Sequence, residues 1–164
     1  MMLPDLLKKD LMVVFCGTAV GAKSAEVAAY YAGPGNKFWR ILWEIGLTPR
    51  ILASSEDFKL LEFGIGLTDL VKTKAGSDAG LTKMDFGLSD FESKILRYSP
   101  RFLAFNGKRA AQELLGRKKV SFGPIQKRIG ETRLLTLPST SSAANRYWDQ
   151  KYWQELANKF KSAF

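Results

Sequence analysis

Four short apolar runs recur along this 164-residue chain. They cover residues 11–16, 64–71, 101–105 and 133–137, and each is five to eight residues long. Runs of this length favour buried strands over helices. The second run contains glycines, which allow a neighbouring backbone to approach closely. The pattern therefore predicts four buried strands.

Apolar residues at helical spacing occupy the stretches between these runs. The first predicted helix ends at Gly46, and its apolar positions are Phe38, Ile41, Leu42 and Ile45. Residues 58–63 are predicted to form a short helix or turn. A further helix is expected to run to Tyr98, with Ser89 as its cap and Glu92 completing a capping box.

Two more helices are predicted in the second half. Asn106-Gly107 turns into a helix with four inward residues, Ala110, Ala111, Leu114 and Leu115. The last helix carries an apolar stripe at steps of four, Trp148, Tyr152, Leu156 and Phe160. Residues 118–128 are basic and irregular, with a hairpin as the alternative, and residues 72–83 form a surface loop. Strands that alternate with helices indicate a parallel sheet covered by helices on both faces.

Length and composition predict one domain over residues 1–164, without repeats or linkers. The apolar runs fall far below the roughly 20 residues needed to span a bilayer, and the first ten residues make a poor signal peptide. Cys16 is the single cysteine, which excludes an internal disulfide and fits a reducing compartment. We therefore expect a cytoplasmic monomer without a membrane contact.

The chain contains no histidine, and its charge is uneven. The absence of histidine excludes imidazole acid–base catalysis, His-based triads and His-containing zinc sites. Residues 1–100 carry 12 Lys/Arg and 12 Asp/Glu, whereas residues 101–164 carry 13 and 4, so the whole net charge of +9 lies in the second stretch. A basic half indicates a polyanionic partner, with nucleic acid the usual one. The alternative is a merely solubilising surface.

Three loops follow predicted strands and are polar or rich in glycine. They are residues 17–21, Thr68-Asp69 and residues 138–142. Because the carboxyl ends of parallel strands open on one edge of a sheet, these loops should meet where α/β proteins bind ligands. Glycines in the first loop let backbone amides approach a substrate. We therefore expect the functional site at this edge.

These segments resemble a known family. Residues 13–21 (VVFCGTAVG) and 32–39 (AGPGNKFW) are similar to the first blocks of the mismatch-specific uracil/thymine DNA glycosylases. Residues 64–71, 105–108 and 137–139 resemble later blocks of the uracil-DNA glycosylase superfamily in the same order. The resemblance spans about residues 11–160. It implies a three-layer α/β/α fold with a central four-stranded parallel sheet, and cofactor-free, metal-free hydrolysis of the N-glycosidic bond of a damaged base flipped out of DNA.

The chain departs from that family at polar positions. The relatives place a water-positioning asparagine and then a proline where this chain has Ala19 and Val20. Leu137 replaces an asparagine or histidine, and residues 140–142 (TSS) contain no bulky apolar wedge. The resemblance therefore implies a divergent branch whose essential groups are reassigned.

Asp69 and Asn106 are the candidate catalytic residues. Cleavage leaves positive charge on the sugar and negative charge on the base, so a carboxylate could orient water and stabilise the sugar cation. Asp69 could instead accept a hydrogen bond from a base N–H, or it could be a helix cap or a member of an ion pair. Asn106 offers a donor and an acceptor, with a structural turn as the alternative.

The base-binding candidates are Gly17, Thr18, Ala19 and Tyr31. Backbone amides in the first loop could bind a base carbonyl. Tyr31 lies near the position of the family's stacking aromatic and could form a platform for the base, with an ordinary core or surface tyrosine as the alternative.

Five residues are the candidates for DNA contact: Lys108, Ser139, Thr140, Ser141 and Arg146. Lys108 and Arg109 open a helix whose N-terminus suits phosphate. Ser139 would grip a phosphate with help from the two hydroxyls that follow it, and Arg146 or Tyr147 would take the place of the missing wedge. Residues 117–119 are either a further phosphate contact or a solvated turn.

The leading hypothesis is a monofunctional DNA glycosylase acting on double- or single-stranded DNA that contains a deaminated base, with uracil first. One alternative prefers hypoxanthine or xanthine, and a second is a damage-binding protein with little turnover. An unrelated small-molecule hydrolase is disfavoured, because the chain lacks histidine and a nucleophile elbow.

Overall fold

The computed structural model describes residues 3–72 and 87–162. Within these residues the strands are β1 (Val13–Gly17), β2 (Ile65–Asp69), β3 (Phe102–Asn106), β4 (Gly123–Ile129) and β5 (Thr132–Leu137). The helices are α1 (Ala22–Val27), α2 (Phe38–Glu44), α3 (Leu88–Tyr98), α4 (Lys108–Leu115) and α5 (Gln150–Ser162). Two 3₁₀ segments, Ser54–Phe63 and Ser142–Tyr147, complete the order. The predicted surface loop falls outside the described residues from residue 73 onward.

The strands form one mixed sheet in the order β2-β1-β3-β5-β4. The first four are parallel, and β4 pairs antiparallel with β5 through a hairpin that turns at Gly130, whose φ is +59°. In the described part of the chain the sheet has five strands where four were expected, because the edge strand β4 was not predicted. Its residues are mostly exposed, so GPIQKRI shows no apolar run. The hairpin considered for residues 118–128 lies later in the chain than expected, because β4 pairs with β5 and the turn at Gly130 falls beyond that range.

Alternate residues of the strands pack into two separate cores. Val13 and Phe15 face a core shared with α2 and α5, whereas Val14 and Cys16 face a core shared with α3 and α4. This alternation is the period of two that a strand covered on both faces requires. Helices therefore lie on both faces of the sheet, as the sequence predicted.

Two details of the helices differ from the predictions. The cap of α3 is Gly87, without a side-chain hydrogen bond, and Ser89 lies inside the first turn. In α5 the fully buried aromatic is Trp153. Trp148 precedes the helix, and Tyr152 is only half-buried. Leu156 and Phe160 are buried as predicted, and Trp153 and Ala157 complete the buried stripe of α5 in place of Trp148 and Tyr152.

No helix in the described part of the chain is both long and apolar enough to cross a membrane.

Candidate active site

The strand register brings the three predicted loops to one edge. Gly17 at the end of β1 lies beside Asp69 at the end of β2. Asn106 at the end of β3 lies beside Leu137 at the end of β5. Because all four strands run in the same direction, their carboxyl ends form a continuous row. The candidate catalytic side chains therefore stand on either side of the β1 end.

Because Gly17 has no side chain, two polar side chains can lie close to its Cα atom. A Cβ atom at this position would lie 3.0 Å from Asp69 Oδ1 and 3.8 Å from the Tyr31 hydroxyl oxygen. The first distance is tighter than most Cβ contacts in proteins, so a side chain here would require the carboxylate to shift slightly. Glycine thus lets a carboxylate and a phenol face the same small space.

Asp69 is 3% exposed and belongs to a network of charges. Lys72 Nζ lies 3.5 Å from Asp69 Oδ2 and 3.0 Å from Asp5 Oδ1. Asp5 also pairs with Lys94 at 2.6 Å and accepts a hydrogen bond from Thr68 at 2.7 Å. These ion pairs connect three parts of the fold: the N-terminal segment, the end of β2 and α3.

Burial dominates the ionisation of Asp69. It raises the pKa of this carboxyl from 3.8 to about 6, although Lys72 and Lys94 act in the opposite direction and Asp5 adds to the rise. Burial also acts to raise the pKa of Asp5, but Lys94, Lys72 and Thr68 outweigh it and the net shift is downward. Asp69 is therefore the carboxyl in this network that changes protonation near neutral pH, as a general base should.

The Tyr31 hydroxyl lies near Gly17, 3.8 Å from the position that a Cβ atom on this glycine would take. Its ring stacks on Phe38 with centroids 4.0 Å apart, so one face is covered and only the other could carry a base. The hydroxyl is buried and makes no hydrogen bond. Burial and the Asp69 charge raise the pKa of Tyr31, and the nearby Asn106 amide lowers it without reaching hydrogen-bond geometry.

Asn106 is held by Thr140 through two hydrogen bonds. Its Nδ2 donates to Thr140 Oγ1 at 2.9 Å, and its Oδ1 accepts from the Thr140 amide at 3.0 Å. Thr140 is 1% exposed, and its carbonyl accepts from the Lys37 amide at 2.9 Å. Asn106 thus ties the end of β3 to the loop after β5, and a contact between Thr140 and DNA stays a prediction.

The remaining DNA-contact candidates lie around this loop. The Ser139 hydroxyl accepts from the Ser141 amide at 3.2 Å, and the Ser141 hydroxyl accepts from the Ala143 amide at 3.3 Å. These bonds shape the loop and leave each hydroxyl hydrogen able to donate. Lys108 is exposed and lies 4.4 Å above the Phe122 ring.

Arg146 lies in the exposed 3₁₀ segment after the loop. Its guanidinium lies 5.2 Å from the ring centre of Tyr147, which is 60% exposed. Both side chains are exposed, a few residues beyond positions 140–142 where the related family carries its wedge, so their role as a substitute wedge stays a prediction.

The first loop contributes mainly its backbone. The Gly17 carbonyl accepts from the Leu70 amide at 2.9 Å, and the Thr18 carbonyl accepts from the Val71 amide at 2.6 Å. Thr18 and Ala19 are both half-buried, and the latter brings only a methyl group to the site. Within residues 3–72 and 87–162, no cluster of three Cys, Asp or Glu side chains could hold a metal ion.

The sequence analysis missed the residues that surround Asp69. Asp5, Lys72 and Lys94 come from three separate segments. Only Lys72 carried a signal, because it follows Asp69 by three residues. One cleft of about 290 Å³ lies away from this site, beside Phe102 and Arg133. Another, of about 370 Å³, is lined by Asp5 and Lys94 of the ion network.

Comparison with known proteins agrees with this architecture. The sequence model of the uracil DNA glycosylase superfamily matches residues 4–161. The solution structure of a proposed uracil DNA glycosylase from Methanosarcina acetivorans is similar to this chain with a TM-score of 0.64 and 20% sequence identity. The match covers 98% of this chain and 97% of the other, which confirms the three-layer fold. The chain belongs to the uracil DNA glycosylase superfamily and is a DNA glycosylase, a hydrolase of base excision repair.

Proposed function

We propose that this enzyme hydrolyses the N-glycosidic bond of a deaminated base flipped out of DNA, with uracil as the first substrate to test and Asp69 as the essential carboxylate. One observation carries the proposal. Asp69 is a buried carboxylate with a pKa of about 6, and its Oδ1 approaches Gly17 closely at the carboxyl edge of the sheet, 3.0 Å from the position that a Cβ atom would take.

The reaction needs a carboxylate at such a place. The C1′–N bond breaks and its electron pair leaves with the base, which gives the sugar the character of an oxocarbenium ion. A water oxygen bonds to C1′, one of its protons passes to Asp69, and the other stays on the new hydroxyl group. An ionised carboxylate stabilises the sugar cation and then accepts the proton.

The residue at position 19 supports this reassignment. Ala19 cannot position a water molecule, because its side chain is a methyl group. Asp69 supplies a charge from the neighbouring strand, and its Oδ1 reaches the end of β1. Lys72 binds the other oxygen, Oδ2, so that the two carboxylate oxygens have different roles.

DNA would lie across the other half of the edge. Residues 101–164 carry 13 basic and 4 acidic residues, and they include Lys108, Ser139, Ser141 and Arg146. Backbone groups of residues 17–19 would bind the base, and the protruding pair Arg146–Tyr147 would fill the space left in the duplex. The substrate is either double- or single-stranded DNA.

Single-turnover base release tests the proposal. Short duplexes carrying one uracil, hypoxanthine, xanthine or mismatched thymine are incubated with excess enzyme, and abasic sites are cleaved by alkali. We expect release by the wild type and a loss of about 10²- to 10³-fold in Asp69→Asn, the usual cost of removing a group that stabilises the transition state. The control is Asp10→Asn, because Asp10 is exposed and its left-handed backbone suits asparagine. Full activity of Asp69→Asn would contradict the proposal, and the base released fastest identifies the substrate.

A further inference from the structure

Tyr31 combines two unfavourable features. Its hydroxyl oxygen is buried without a hydrogen-bond partner in the described part of the chain. Its backbone has a φ of +52°, in the left-handed region that bulky side chains rarely adopt. Features that weaken the folded state persist mainly where function requires them.

The neighbouring tyrosine shows how this chain normally treats such a hydroxyl. The Tyr30 hydroxyl donates to the Pro4 carbonyl at 3.0 Å and accepts from Lys72 at 3.2 Å. Two adjacent phenols therefore differ in one respect: Tyr30 is satisfied within the protein, and Tyr31 is not.

The surroundings of Tyr31 define the chemistry of the missing partner. The hydroxyl oxygen and Asp69 Oδ1 both lie close to the position that a Cβ atom on Gly17 would take, at 3.8 Å and 3.0 Å respectively. Burial and the Asp69 charge raise the pKa of Tyr31, so the phenol keeps its proton and can donate. The missing partner is therefore a hydrogen-bond acceptor within the site.

We infer that the Tyr31 hydroxyl donates a hydrogen bond to a carbonyl oxygen of the base held in this site. The inference rests on the proposed function. Deamination converts an exocyclic amino group into a carbonyl, so each deaminated base offers an acceptor of this kind. The bond strengthens as the base leaves, because the electron pair from the broken C1′–N bond places negative charge on its carbonyl oxygens.

The composition of the site supports this assignment. The chain has no histidine, and Leu137 at the end of β5 offers no side-chain donor. The hydrogen bonds that Asn106 makes go to Thr140. Among the side chains around Gly17 that the structure describes, Tyr31 thus offers a hydroxyl donor without a protein partner, as a leaving base requires.

Two tyrosine variants separate this role from a structural one. In the free protein we expect Tyr31→Phe to melt at the same temperature as the wild type or higher, because it removes an unpaired polar atom and keeps the stack on Phe38. Tyr30→Phe should melt lower, because it breaks two hydrogen bonds. A clear fall in the melting temperature of Tyr31→Phe would show a structural hydroxyl and overturn the inference.

Substrate analogues then locate the bond. Base release by wild type and Tyr31→Phe is compared on duplexes with uracil, 2-thiouracil and 4-thiouracil, since sulfur is a poor acceptor. If the wild type releases hypoxanthine fastest, 6-thiohypoxanthine replaces the thiouracils. We expect the variant to lose about 10- to 100-fold on the oxygen substrate and much less on one thio analogue. Equal losses on all substrates, or no loss on the oxygen substrate, would overturn the inference. Failure of the wild type to release any base would instead refute the proposed function.

Discussion

The two strand ends that carry the candidate catalytic residues are held in opposite ways. Asp69 at the end of β2 is fixed by charges, with Lys72, Asp5 and Lys94 in one network. Asn106 at the end of β3 is fixed by two neutral hydrogen bonds to Thr140. A carboxylate in a charge network can change protonation, whereas a neutral amide cannot, and the two bonds of Asn106 both go to the loop after β5. From this contrast we propose that the first end carries the chemistry and that the second positions the loop after β5.

The first prediction is the largest and concerns the stability of Asp69→Asn. The pKa of Asp69 rises on folding from 3.8 to about 6, so the folded protein holds the proton more tightly than the unfolded chain. Ionised Asp69 therefore destabilises the fold. The cost is absent below pH 4, grows between pH 4 and 6, and reaches about 3 kcal/mol above pH 6.

Removing the charge should reverse this cost. We expect Asp69→Asn to melt above the wild type at pH 7.5 and to match it at pH 4, as measured by calorimetry across the pH range. A melting temperature for Asp69→Asn below that of the wild type at pH 7.5 would show that the ion network stabilises the fold, and the contrast between the two strand ends would fail.

The second prediction concerns Asn106. Asn106→Ala breaks both hydrogen bonds to Thr140 and leaves a buried amide unpaired, which should lower the free energy of unfolding by about 1–3 kcal/mol. Asn106→Asp keeps two acceptors for the amide and hydroxyl of Thr140. It should therefore retain most of the stability and base release in the activity assay.

An inactive but stable Asn106→Asp would show instead that the amide donates to the substrate. Asn106 would then be catalytic, and the division of roles would need to be abandoned.

The third prediction is a pair of opposite pH shifts. Lys72 lowers the pKa of Asp69 and Asp5 raises it, while Lys94 adds a weaker lowering effect. If base release depends on ionised Asp69, its acid limb should lie near pH 6. Lys72→Met should move that limb to higher pH, and Asp5→Asn should move it to lower pH, as measured from single-turnover rates. Shifts in the same direction would show that these variants act through the fold and not through the charge on Asp69.

The sequence predicted the row of strand ends but not what surrounds each of them. Apolar runs located β1, β2, β3 and β5, because buried strands carry continuous hydrophobic residues. The edge strand β4 was missed as a strand in its own right, since an exposed strand has no such run. The position of Asp69 could be predicted because parallel strands share an edge.

The ion network around Asp69 could not be predicted in the same way. Asp5 lies 64 residues before Asp69 and reaches it only because the N-terminal segment folds back along β2 through the bridge between Leu6 and Leu67. Lys94 comes from α3, which begins well after Asp69 in the sequence. The unpaired hydroxyl of Tyr31 is also a property of three-dimensional packing, and no sequence pattern shows it.

The smallest predicted effect concerns Lys108, which lies at the half of the sheet edge where we propose that DNA binds. If Lys108 neutralises a phosphate, Lys108→Ala should reduce the slope of log affinity against log salt by about 1 unit, because one counterion fewer is released on binding. The matched control is Lys161→Ala, since Lys161 is exposed near the C-terminal end of α5, where Lys159 lines the cleft at the opposite edge of the sheet. Binding of an abasic-analogue duplex, titrated at several salt concentrations, measures both slopes. A reduced slope only in Lys108→Ala would place the phosphates beside the Asn106 end. Equal slopes in the two variants would mean that the basic half attracts DNA without a defined contact at Lys108, and the positioning role would then rest on the loop that Asn106 and Thr140 hold together.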